Sequence, residues 1–391
     1  MHPSAAAWVG RLLSRTTPLE LSSEDSFRLN VLLASKPLAI RIDEGRMRVH
    51  GLSERGESRI ELHPNTRPDR YLRLVRELIS GQVLGSPGGY PVYLRRWTRM
   101  GQMRDESLEQ LLLLGEPEAV VAAVCSPGLG DELARRAWWA MEDAENARRM
   151  LCNRVVITGR MGPILAQYLV DYLPFETESE RIIESVRLVL QPGLIAQELR
   201  DELWRKSVRK QVYLVGFLEA VPDELPDPEP ARVPGAQIDE QIARLVEQGN
   251  PIAAILARVY SVGGQTWLRT LSTVLAKPQT QDVITTTFDC VREYLAPIRP
   301  EGCPDLVIED LLEESRRFVM DGDSAAMGQV REALPALTAD LEALRLLSGL
   351  GYPVLRPLLP DPTTQGTVMR RRLAPVLTQV QEAIARLRGR G

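Results

Sequence analysis

The sequence predicts a mainly α-helical protein, a HEAT-like or irregular helical array preceded by a small three-stranded antiparallel sheet in an α+β N-terminal unit. Three observations carry this expectation. Between Leu38 and Leu62 apolar residues alternate with a period near two, whereas beyond the Gly/Pro-rich stretch that starts at Gly85 they recur every three or four positions. Aromatic residues make up only 5% of the chain, too few for an aromatic-rich all-β protein. Short Pro/Gly punctuation separates the helical stripes, as between stacked antiparallel helices.

Residues 1–21 read as a flexible extension. Ser22-Ser23-Glu24-Asp25 then offers a cap and early acids to a first helix with Leu29, Leu32 and Leu33 on one face. Leu38, Ile40 and Ile42, then Met47 and Val49, then Ile60 and Leu62 mark three strands, with turns at Asp43-Glu44-Gly45 and Glu54-Arg55-Gly56. So small a sheet needs a cover. The helix after Pro68, with Tyr71, Leu74, Val75, Leu78 and Ile79 on one stripe, supplies it.

Glycines and prolines from Gly85 to Pro91, followed by an arginine- and aromatic-rich run, close this unit at residue 104. A helical repeat domain is expected over 105–221. In it, 119–138 resembles 184–204: each has an apolar helix end, Pro-Gly-Leu, and a second helix closing on Trp138 or Trp204. Five prolines and a run of acids mark 222–236 as a linker before a C-terminal helical domain, 237–391. There Asn250-Pro251 opens a helix, Trp267 lies on a buried stripe, and a seam from Met327 to Leu344 is interrupted by Pro335. The last helix is basic and amphipathic, with Leu373, Val376, Val380, Ile384 and Leu387 on one face.

A net charge of −4 excludes a generally basic nucleic-acid binder, leaving only local basic patches. Four cysteines without a CxxC pair fit reduced thiols in a cytoplasm, and no apolar run reaches membrane-span length. The only histidines are His2, His50 and His63, the latter two expected at the solvent edge of the sheet. HExxH, GxxxxGK[ST] and GxSxG are absent, and Ala325 and Ala326 spoil a calcium loop begun by Asp321 and Asp323. No catalytic residue, metal or cofactor is therefore assigned.

Two places carry candidate chemistry. Tyr90, Tyr93 and Trp97 with Arg95, Arg96, Arg99 and Arg104 form a candidate surface for a partner or nucleic acid, the rings stacking on bases and the guanidiniums holding phosphates. The same aromatics could instead pack under the sheet with the arginines solvated. Cys152, near Arg148, Arg149 and Arg154, is the candidate reactive thiol, while Cys125 ends an apolar run and reads as buried.

The runs LNVLLASKPLAIRIDE from Leu29, GSPGGYPVYLRRWTRMGQMRDESLEQLLLLGEPEAVVA from Gly85 and SVRLVLQPGL from Ser185 resemble the DsrS family, associated with the Dsr gene clusters of sulfur-oxidising proteobacteria. The likeness covers residues 23–221 better than the remainder. It implies a soluble cytoplasmic accessory protein that supports oxidation of stored sulfur, with no established catalytic residue or cofactor; the excess of helical stripes over chemical motifs adds the expectation that it acts by binding a macromolecular partner, a protein of the sulfur-oxidising machinery. Two further readings stand beside it: an RNA-binding post-transcriptional regulator using the arginine-aromatic stretch, and a sulfur-transfer or redox protein using Cys152.

Overall fold

The computed structural model describes residues 20–85, 105–321, 324–359, 361 and 363–390. It is mainly helical, with twenty α-helices among the described residues and one three-stranded antiparallel sheet near the N-terminus. The chain divides into two compact units, Met1–Leu165 and Ala166–Gly391.

In the first unit, α1 (Ser23–Ala34) is capped by the Ser22 side chain, which accepts from the Asp25 amide at 3.2 Å. The strands β1 (Ala39–Asp43), β2 (Arg48–Ser53) and β3 (Gly56–Glu61) lie in sequence order as a meander, with Ile42 opposite Val49 and Val49 opposite Ile60. Because side chains alternate across a strand, this register puts Ile40, Ile42, Val49 and Ile60 on one face. Helix α1 and α2 (Pro68–Leu84) cover that face, burying Leu29, Tyr71, Val75 and Ile79 against it. Gly51 makes the close approach feasible, since a Cβ there would stand 2.5 Å from Leu32 Cδ1. Gly85, in the left-handed region at φ 63°, ends α2.

The unit continues with α3 (Asp105–Leu112), α4 (Pro117–Val124), α5 (Asp131–Ala140), α6 (Ala144–Met150) and α7 (Arg154–Ile157). Helices α3 and α5 both pack against β1. Helix α8 (Met161–Tyr172) contains the division between the two units.

The second unit holds α9 (Ser179–Val189), α10 (Gln197–Ser207), α11 (Val212–Ala220), α12 (Ala236–Glu247), α13 (Pro251–Tyr260), α14 (Val262–Ala276) and α15 (Gln281–Tyr294). Beyond them lie α16 (Ile308–Asp321), α17 (Ala325–Ala333), α18 (Thr338–Ser348), α19 (Tyr352–Leu355) and α20 (Gly366–Leu387). Its centre is α11, apolar on almost every side and packed against α9, α10, α14 and α15. Asn250 caps α13 as expected, and a 3-10 turn at Pro335–Leu337 separates α17 from α18 where the proline interrupts the seam. The basic final helix faces inward, packing on α14 and α18 and burying all five of its predicted apolar residues.

The internal likeness is visible in the backbone. Leu129 N donates to Ser126 O at 3.2 Å, and Leu194 N to Gln191 O at 3.3 Å, so each Pro-Gly-Leu junction closes a four-residue turn on a buried leucine, although the turns differ in type, since Gly193 takes φ 79° and Gly128 has no positive φ.

The acidic proline-rich segment has neither helix nor strand between α11 and α12, but the chain does not divide there. It lies inside the second unit, and α11 before it packs on α14 and α15 after it. The physical reason is charge: the segment's acids meet arginines of the helices. Asp223 holds Arg258 at 2.7 Å and accepts from the Tyr294 hydroxyl at 2.8 Å, while Glu229 faces Arg269, Arg388 and Arg390. Arg232, farther along, reaches Asp340 at 3.1 Å.

Arg299 and Arg345, almost wholly buried, share the carboxylate of Glu314, at 2.6 and 2.5 Å. Burial alone would raise the Glu314 pKa, but the two guanidiniums outweigh it and hold the carboxyl below its ordinary range. Glu314→Ala is expected to leave the two buried cations with only the more exposed Glu301, at 3.6 Å from Arg299 and 2.5 Å from Arg345, and to cost about 3 kcal/mol, the low end for a broken buried pair because that second acid remains. Urea unfolding checks this.

Candidate functional site

The sheet order leaves β3 as an outer strand, its residues 56–61 exposed except for the half-buried Ile60. Beside it, between β3 and α1, runs a groove of about 750 Å³. Phe27 and Val31 of α1 and Ile60 of β3 give it an apolar floor, and Glu24, Arg28, Arg59, Glu61 and His63 give it a charged rim of both signs. Phe27 is 68% and Val31 54% exposed, one helical turn apart on the same face.

One end of this groove is keyed by a buried carboxylate. Asp25, 0% exposed, accepts from the Tyr71 hydroxyl at 2.5 Å and the His63 amide at 2.7 Å, and His63 Nδ1 lies 3.2 Å away. The Tyr71 hydroxyl lies 3.2 Å from Ser22 Oγ. One side chain thus ties the start of α1 to α2 and to the chain leaving β3. Burial would push the Asp25 carboxyl up; the hydrogen bonds from Tyr71 and His63 outweigh it and hold the group below its ordinary value.

On the opposite face of the sheet Glu57 gathers His50 Nδ1 at 2.5 Å, Trp139 Nε1 at 3.1 Å and Arg41 at 3.4 Å, with the Arg41 guanidinium 5.0 Å from the Trp139 ring centre. His50, expected at the solvent edge, is largely covered by this cluster, its side chain 13% exposed. His63 is exposed as expected but hydrogen-bonded.

The second unit carries another groove, of about 540 Å³, between the end of the proline-rich segment and α12 and α13. Val233, Ile242, Ala243, Val246 and Ala257 line it, with Asp239 and Glu247 among its polar residues. Val233 stands 73% exposed. Helix α12 packs chiefly on α13, which leaves its outer face to this groove.

No protein-family model, curated protein or solved structure matches the chain.

The seven residues of the predicted arginine-aromatic surface, Tyr90, Tyr93, Arg95, Arg96, Trp97, Arg99 and Arg104, lie outside the described residues. Cys152 is exposed at the end of α6, its Sγ 3.4 Å from the Arg148 carbonyl oxygen. Two of the cationic neighbours expected to activate it are engaged elsewhere, since Arg148 and Arg149 both bind Glu145, at 3.0 Å. Cys125 is exposed, not buried, because α4 ends on the residue before it and the apolar run turns away. Among the described residues no three His, Cys, Asp or Glu side chains converge as metal ligands do, and no helix is long and apolar enough to cross a membrane.

The grooves and the Asp25 junction were missed by sequence reasoning. The available signal was Phe27 and Val31, two apolar residues four apart on the charged side of α1.

The sign of the pH effect follows from the depressed Asp25 pKa. Its stabilisation is complete above the ordinary value of 3.8 and is lost as pH falls from there through the lower folded value. Asp25→Asn is expected to remove that part of the acid dependence, and Tyr71→Phe to cost about 2 kcal/mol at neutral pH. Thermal melts followed from neutral to acid pH test both.

Proposed function

We propose that the chain is a non-enzymatic cytoplasmic accessory protein that supports dissimilatory sulfur oxidation by binding a protein partner. The observation that carries this reading is the apolar groove beside α12. Val233 and Val246 are solvent-facing aliphatics on a described surface that no further helix covers, and covering such a patch is worth about 1–2 kcal/mol per side chain. The groove runs along a helix, and its charged lining is Asp239, Glu247 and Arg232, the last already paired with Asp340 at 3.1 Å, which leaves the two acids to face a partner. That chemistry suits an amphipathic helix with basic flanks, laid into the groove by its apolar stripe. The likeness to DsrS supplies the setting in which the partner is sought.

Full-length protein used as bait in extracts of sulfur-grown cells is expected to retain a component of the sulfur-oxidising machinery identifiable by mass spectrometry. Val233→Asp and Val246→Asp should each reduce its recovery about tenfold, a loss near 1.4 kcal/mol, with the wild-type melting curve preserved. Failure to retain any such component would defeat the functional reading. Undiminished retention by both variants would remove the groove from it.

A further inference from the structure

We infer that the open edge of β3 pairs with the same edge of a second copy of this chain, giving a two-fold symmetric dimer with a continuous six-stranded antiparallel sheet. The surface is distinct from the α12 groove and does not depend on it.

The hydrogen-bonding parity of β3 comes first. Leu62 N donates to Met47 O at 2.9 Å, so Leu62 turns its backbone toward β2. In an antiparallel pair this orientation alternates, so Ile60 and Ser58 also face β2. Glu57, Arg59 and Glu61 therefore direct their backbone N–H and C=O groups to the outer edge. An exposed row of this kind is a template for another strand.

The side chains then select a register. Two-fold pairing that sets Arg59 against the partner's Arg59 also sets Glu57 against the partner's Glu61, opposing like charges at every outer position. Two registers oppose unlike charges instead. One sets Glu57 against the partner's Arg59, but Glu57 is already committed to His50, Trp139 and Arg41. The other sets Arg59 against the partner's Glu61, and Glu61 against the partner's Arg59. It alone brings Ile60 beside the partner's Ile60, on the sheet face that carries Phe27 and Val31.

This register also extends a row already present within one chain. Arg48 binds Glu61 at 3.0 Å and the chain's own Arg59 lies 3.7 Å from the same oxygen, so pairing exchanges that exposed contact within one chain for the partner's Arg59 on the far side of the carboxylate. On the other face, the groove between α1 and β3 is open because nothing among the described residues lies beyond the edge. The partner's α1, carrying its own Phe27 and Val31, fits that space by symmetry. An isologous contact needs such a self-complementary patch, and here the apolar centre and the alternating charges are both symmetric about Ile60.

The test is sedimentation equilibrium of the full chain over a concentration series, with circular dichroism melts to confirm folding. Wild type is expected to dimerise. Arg59→Glu and Glu61→Arg each place two like-charge contacts in the interface and should weaken dimerisation about tenfold. The double variant R59E/E61R restores opposite charges and should recover association to within about threefold of wild type. Arg59→Pro removes an outward N–H without touching the β2 ladder and should give a folded monomer. A monomeric wild type would overturn the proposal, as would a dimer indifferent to Arg59→Pro. Single reversals that the double variant fails to rescue would overturn the register.

Discussion

The carboxylate of Asp25 is the constraint on which the N-terminal unit depends. A three-stranded sheet has too little apolar area to stand alone, so its stability is that of its cover. Two helices from opposite ends of the meander form the cover, and a single buried anion sets their relation. It accepts from the hydroxyl on α2 and from the backbone just past β3, while its own helix is capped three residues earlier. An ionised group in such a place is tolerable only because several donors converge on it. The same contacts hold the edge of β3 and the exposed face of α1 in a fixed relation, which is what makes a groove of the space between them.

The second unit solves its packing problem with a different chemistry. Its apolar centre, α11, is surrounded by helices, and a proline-rich segment that can form no helix of its own is strapped across them. Asp223, Glu229 and Arg232 find partners in α13, α14, α18 and the C-terminal end of the chain. The aromatic stack under this strap, Trp267 on Tyr294 with centres 4.1 Å apart and the Arg258 guanidinium 3.7 Å from the tyrosine ring, joins the charged layer to the apolar one. A stretch that reads as a spacer between bodies is thereby part of one body.

Periodicity made the sheet, its turns and most helices legible in the sequence, because burial on one face leaves a period of two or 3.6 in the order of residues. Asn250, Pro335 and the paired Pro-Gly-Leu junctions were legible for local reasons, each acting on backbone within a few residues. What was not legible depends on partners remote in sequence. Asp25 looks like an ordinary first-turn acid until Tyr71, 46 residues away, is seen to donate to it. The proline-rich acids look solvated until their arginines arrive from as far away as the C-terminal end of the chain, Arg388 standing 159 residues after Glu229. Of the two grooves, one needs the sheet order and the other needs the strap in place, and neither condition can be written as a spacing. Cys152 is a similar case, since cations near it in the sequence are bound to Glu145 in space.

The use of arginine in the interior has a consequence for alkaline media. Guanidinium retains its proton far above the range in which an ammonium group releases one. An interior whose carboxylates are met by guanidinium therefore keeps its counterions where a lysine-based one would neutralise itself. Only four lysines occur in 391 residues, and Asp340, Glu301 and Glu314 of the C-terminal core are all met by arginine.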